Sequence, residues 1–266
     1  MATCSGLLQL TPRLFTVGFL ALLLSGVAGC DQSSPSTPTT SVPSGLSRPQ
    51  PSNGDPSAED PPAAAAIRKS DHRPKIVAFG DSLTAGFGVS PEQAYPALLQ
   101  KQLDALGHQY QVLNAGVSGD TSAGGLRRVS WVLAGKPSLV ILELGGNDGL
   151  RGLSLEETRS HLDAMITQFK EAGVRVILAG MKLPPNYGQD YTTKFETMYR
   201  DLADAHSLPL IPFLLEGVGG ERKLNQADGI HPTAEGYRIV VQNVLQTLLP
   251  LLENGESSKP ETKKKA

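Results

Sequence analysis

From residue 74 to about residue 252, short apolar runs alternate with longer segments whose apolar residues recur every three or four positions. The runs cover 76–79, 110–113, 139–144, 174–179 and 208–213. They are strand-length and apolar almost throughout, the pattern of strands buried on both faces. The intervening segments read as helices. Residues 92–106 carry Ala94, Ala97, Leu98, Leu103 and Leu106 on one face, and 155–172 carry Leu162, Met165, Ile166 and Phe169. Segments 192–205 and 233–249 behave alike, the last with Tyr237, Val240, Val241, Val244, Leu245 and Leu248. Strands alternating with helices of this length imply right-handed crossovers, hence an α/β fold with a parallel sheet covered on both faces. Gly107 and Gly173 fall after helices, Pro137 before a strand, and Pro184-Pro185 in a loop, where such residues punctuate structure.

Outside that span the pattern is lost. Residues 1–29 show Arg13, an apolar run over 14–27 and a small-residue ending, the layout of a secretory signal whose apolar run is too short for a membrane-spanning helix. Val27-Ala28-Gly29-Cys30 resembles a bacterial lipobox, which implies lipidation of Cys30 and a lipoprotein anchored on the periplasmic side of a membrane. Residues 30–73 are rich in Ser, Pro, Thr, Gly and Ala, too poor in large apolar side chains to offset their ordering entropy, and read as a tether. As a flexible coil it would average about 35 Å end to end. Residues 253–266 end in Lys263-Lys264-Lys265 and read as a solvated, disordered tail. The folded domain is therefore expected over 74–252.

Composition adds two exclusions. The chain has 2 cysteines, Cys4 in the leader and Cys30 at its end, so the domain is expected to hold together without disulfides. With 24 basic against 26 acidic residues the formal charge is −2, which gives nucleic acid no electrostatic footprint. No metal-ligand spacing, dinucleotide fingerprint or phosphate loop follows a strand, so neither metal nor cofactor is expected.

The candidate chemistry lies where strands end. The loops after the first three strands hold Gly80-Asp81-Ser82-Leu83, then Asn114 to Thr121, then Gly145-Gly146-Asn147-Asp148, and all three open at one edge of the sheet, where ligands bind in such folds. Taken alone, Asp81, Ser82 or Thr84 could simply cap a helix. Far downstream stands Asp228-Gly229-Ile230-His231-Pro232. A carboxylate three residues ahead of an imidazole can hold one ring nitrogen and leave the other to take a proton from Ser82. Alone, that pair also reads as a cap beside a surface histidine. His72, His108, His161 and His206 lack such a setting and read as surface or structural residues.

Together these blocks resemble the SGNH (GDSL) hydrolases: Gly80-Asp81-Ser82-Leu83, Gly119 within Ser118-Gly119-Asp120, Gly146-Asn147-Asp148, and Asp228-Gly229-Ile230-His231, in order over 75–250. The resemblance implies a three-layer, flavodoxin-like fold around a five-stranded parallel sheet. It also implies a triad of Ser82, His231 and Asp228, with an oxyanion hole made by the Ser82 and Gly119 backbone N–H groups and the Asn147 amide. Asp81 and Asn114 would hold the loops, and Asp148 would cap a helix. Leu144 to Gly152 and Leu183 to Gly188 are closer still to the bacterial thioesterase I, lysophospholipase and arylesterase subgroup. Expected partners are thus a small acyl ester, thioester or lysophospholipid substrate and, through Cys30, a membrane; the domain is expected to be a monomer. Loops 184–191 and 215–227 are expected to line an acyl pocket. Two other readings stay open: an O-acetylesterase of carbohydrate or peptidoglycan, and a non-enzymatic ligand-binding lipoprotein.

Overall fold

The computed structural model describes residues 71–256. The signal segment, Cys30 and the tether up to residue 70 lie outside the described residues. Five strands, β1 (Lys75–Gly80), β2 (Gln111–Gly116), β3 (Leu139–Glu143), β4 (Arg175–Ala179) and β5 (Leu210–Ile211), form one parallel sheet in the order β2-β1-β3-β4-β5. Seven helices accompany them: α1 (Ser82–Ala85), α2 (Tyr95–Ala105), α3 (Ser122–Ala134), α4 (Gly146–Leu150), α5 (Leu155–Glu171), α6 (Gln189–His206) and α7 (Ala234–Glu256).

Strand order reverses between β1 and β3. The chain moves one way from β1 to β2 and the other way from β3 onward, and right-handed crossovers then send their helices to opposite faces. Accordingly α2 packs with α7, while α3, α5 and α6 pack in a row. Both faces of β1 and β3 are covered: Ile76, Ala78, Phe79 and all of Leu139 to Leu142 are buried. Phe79 meets Phe169 of α5 edge to face, with ring centroids 5.8 Å apart. At the reversal the loops after β1 and β3 part and leave a crevice at the carboxyl ends of the strands.

The structure departs from the sequence pattern at four places. Strand β5 keeps only two residues of the expected 208–213, because its pairing with β4 ends at Ala179↔Ile211. Strand β2 runs on to Gly116, since it pairs with β1 as far as Gly80↔Gly116. Helix α3 was not legible, for its first turn holds Gly124 and Gly125, and glycine is among the poorest helix formers. Its start is fixed by Thr121, whose hydroxyl accepts the Gly124 N–H, and a Cβ at Gly125 would run into Leu144. Helix α7 continues through Pro250 to Glu256, so the first residues of the segment read as a tail are helical.

Candidate active site

The nucleophile turn follows from close backbone packing at the end of β1. A Cβ on Gly80 would collide with Thr84 and with both the side chain and the backbone oxygen of Glu143. Glycine therefore lets the turn sit directly on β3. Asp81 caps α1 by accepting the Leu83 N–H at 3.0 Å, and Ser82, 9% exposed, begins the helix. The helix cap is thus Asp81, and the candidate nucleophile is the residue beside it. Gly80→Ala is expected to overpack this junction, costing about 1–3 kcal/mol; a lowered urea midpoint together with reduced ester hydrolysis would register it.

The partner arrives from the loop ahead of α7. Asn225 bridges Pro232 in antiparallel fashion, and Gln226 N–H donates to the His231 carbonyl at 2.8 Å, which closes a tight loop over 226–231. Inside it Gly229 takes φ +72°, a conformation that suits glycine. Asp228 Oδ1 accepts the backbone N–H groups of Ile230 (2.9 Å) and His231 (3.0 Å), and Oδ2 lies 2.7 Å from His231 Nδ1. His231 Nε2 lies 2.8 Å from Ser82 Oγ. An ionised Asp228 can only accept, so Nδ1 carries the proton and Nε2 is left to receive one. Desolvation pushes the Asp228 carboxyl up, but the two N–H donors and the imidazole together outweigh it and hold it at about 2. Phe87 covers one side of the imidazole, with ring centroids 4.7 Å apart, and Gln226 Nε2 donates to the Phe87 carbonyl at 2.7 Å. Phe87 carries no local sign of this contact, which is made across the fold, whereas Gln226 falls within the 215–227 loop.

Gly119 and Asn147 reach the same edge. Gly119 has φ +79°, and its carbonyl accepts from Arg151 at 3.0 Å. Asn147 Nδ2 donates to Asp81 Oδ2 (3.0 Å) and to the Asp120 carbonyl (2.9 Å), so both amide protons are engaged and a developing oxyanion has to share or displace one. Asp148 does not cap its own helix. It accepts the Ser122 N–H at 2.8 Å and the Ser122 hydroxyl at 2.6 Å, which ties the Gly119 loop to the Asn147 loop. His161 Nδ1 lies 3.0 Å from the same hydroxyl, and His206 pairs with Asp163 at 2.8 Å; both are structural contacts away from Ser82. Asn114 folds back on the Gly116 N–H.

Beside Ser82 and His231 opens a cleft of about 530 Å³, within the range of small-ligand sites. Leu150, Met181, Leu183, Pro184, Phe213 and Leu215 give it an apolar wall. The residues after β4 and β5 contribute as the sequence suggested, although part of 184–191 is helical: a 3-10 turn at Pro185–Tyr187 and the start of α6.

A model of the GDSL-like lipase/acylhydrolase family matches residues 78–239. The chain is 46% identical over 178 residues to esterase TesA of Pseudomonas aeruginosa, covering 66% of this chain and 89% of that protein. It is 37% identical over 180 residues to thioesterase 1/protease 1/lysophospholipase L1 of Escherichia coli, covering 67% and 85%. The crystal structure of TesA superposes with a TM-score of 0.65 over 66% of this chain and 99% of that one, at 46% identity. With its nucleophile turn, its Asp-Gly-Ile-His loop and these likenesses, the chain belongs to the GDSL-like lipase/acylhydrolase family.

Proposed function

We propose that the chain is a serine hydrolase of carboxylic esters and thioesters that works through an acyl-enzyme on Ser82. The observation that supports this most is the run of short contacts from Asp228 through His231 to Ser82, set at the mouth of an apolar cleft. His231 Nε2 takes the Ser82 proton as Oγ attacks the acyl carbon. The Ser82 and Gly119 N–H groups and the Asn147 amide receive the negative charge on the carbonyl oxygen. Collapse breaks the bond to the alcohol or thiol, which leaves with the proton from His231. Water then repeats the cycle and releases a carboxylic acid, restoring Ser82.

The apolar wall favours an acyl chain over an acetylated sugar, since a sugar's hydroxyls would lose water there without partners. The relatives' names, an esterase and a thioesterase/lysophospholipase, support the same substrate class. Comparing rates on p-nitrophenyl acyl esters, acyl-CoA, lysophospholipid and acetylated glycan tests it: preference for the glycan, or no covalent capture of Ser82 by a fluorophosphonate, would overturn it. Asn147→Ala is expected to lower kcat about 10²–10³-fold with a smaller change in KM, read by steady-state kinetics. Supported by the sequence around Cys30 alone, the reading extends to a lipoprotein held at the periplasmic side of a membrane. A Cys30→Ser chain that stayed in the membrane fraction would contradict the anchor.

A further inference from the structure

Glu143 ends β3 inside the protein, with no exposed surface. Its Oε2 accepts the Thr84 hydroxyl at 2.8 Å and the Asp81 N–H at 3.1 Å, the two sides of the turn that presents Ser82. Its Oε1 is buried and receives no N–H or O–H. The carboxyl of Asp81, itself 2% exposed, belongs to the residue whose N–H Glu143 holds, and its charge acts on the Glu143 acid. Two buried carboxyl groups on either side of one backbone hydrogen bond repel when both are ionised, which favours a proton on one of them.

The two partners differ in what supports a charge. Burial pushes the Asp81 carboxyl up to about 6, but it accepts from the Leu83 N–H and the Asn147 amide, and a protonated His231 would favour its ionised form. The groups that face Glu143 are Asp81 from the turn, Tyr95 of α2, Tyr199 of α6 and Tyr237 of α7, none of them a cation. Burial, and then the charge on Asp81, push the Glu143 acid well above the usual carboxylate range.

Building on the Ser82 reading, we propose that Glu143 is a positioning residue that works as a neutral carboxylic acid. Its proton is donated to Asp81, and it thereby locks the nucleophile turn and the Asn147 amide in one arrangement. One buried proton then joins β3 to both halves of the reaction centre. Through Oε2 the acid holds the backbone on either side of Ser82. Through Asp81 it holds the side chain that aims at the oxyanion. Ionising Glu143 would place two repelling charges beneath Ser82 and loosen Asn147. Because the folded acid binds its proton more tightly than the unfolded one, this contribution to stability is full below the ordinary carboxylate value and is lost progressively as pH rises from there through the raised value.

Two measurements on the full chain test this. An infrared spectrum of wild type minus Glu143→Gln at pH 7 should show the carbonyl stretch of a protonated carboxylic acid, shifted in heavy water. Its absence would overturn the proposal whatever the activity. In kinetics, Glu143→Ala is expected to lose about 10²-fold in kcat with little change in KM, the mark of lost transition-state positioning. Glu143→Gln carries an N–H donor where the acid proton was and keeps an acceptor for Thr84 and Asp81, so it should recover at least about tenfold of that loss. Its rate should also persist to higher pH than that of wild type. A folded Glu143→Gln chain as impaired as Glu143→Ala would mean that a charge, and not a proton, is needed there. Should Ser82→Ala retain full activity, the nucleophile reading would fail while the infrared result still reported on the Glu143 proton.

Discussion

Ser82→Ala is expected to lower kcat/KM for any ester by at least about 10⁴-fold while leaving the fold intact. The substitution removes one hydroxyl whose hydrogen-bond partner is His231 Nε2, and no backbone contact depends on it. Asp81 still caps α1 and Glu143 still holds Asp81 and Thr84, so the turn keeps its shape. What remains is the oxyanion site and the cleft, able to bind and polarise an ester but with nothing to form the acyl-enzyme. Steady-state rates beside a urea melt decide the matter: a rate within tenfold of wild type at unchanged stability would remove Ser82 from the nucleophile's place.

Asp228→Asn should cost about 10⁴-fold in kcat for a different reason. The amide oxygen can keep accepting the Ile230 and His231 N–H groups, so the loop survives. The amide nitrogen, however, faces His231 Nδ1 as a donor. The ring then turns to the tautomer with its proton on Nε2, where it can no longer take the proton of Ser82. An acid-side effect follows from the same carboxyl, which folding lowers from its ordinary 3.8 to about 2. A lowered acid stabilises the fold above its ordinary value and ceases to do so as pH falls through the lowered one. The Asp228→Asn chain should thus lose less stability than wild type between about pH 4 and pH 2, as pH-dependent urea melts would show. With Asp228 more than a third exposed, the difference should be small.

How much of this was legible beforehand depends on whether the determining contacts are local. The end of β1, the Gly80-Asp81-Ser82 turn and the Asp228-to-His231 loop were readable because each is specified within a few residues by apolar runs, caps and glycine. Helix α3 was not, since Gly124 makes room for the Asp120 carboxyl and Gly125 for Leu144 and Met165, at the expense of helix propensity. The shortness of β5 is likewise set by its neighbour. Glu143 left a trace that was available: a lone carboxyl inside the apolar run 139–144, where burial without a cation implies a proton. Phe87 left none, for its meeting with His231 exists only after the chain has closed.

Ser82 and His231 are 149 positions apart, and the base sits on the loop before the final helix. Chains grow and begin to collapse from the N-terminus, and contacts between distant segments form late. A chain that stops short of His231 therefore carries the serine without the imidazole that would take its proton. The reaction centre thus exists only once both ends of the folded span have been brought together.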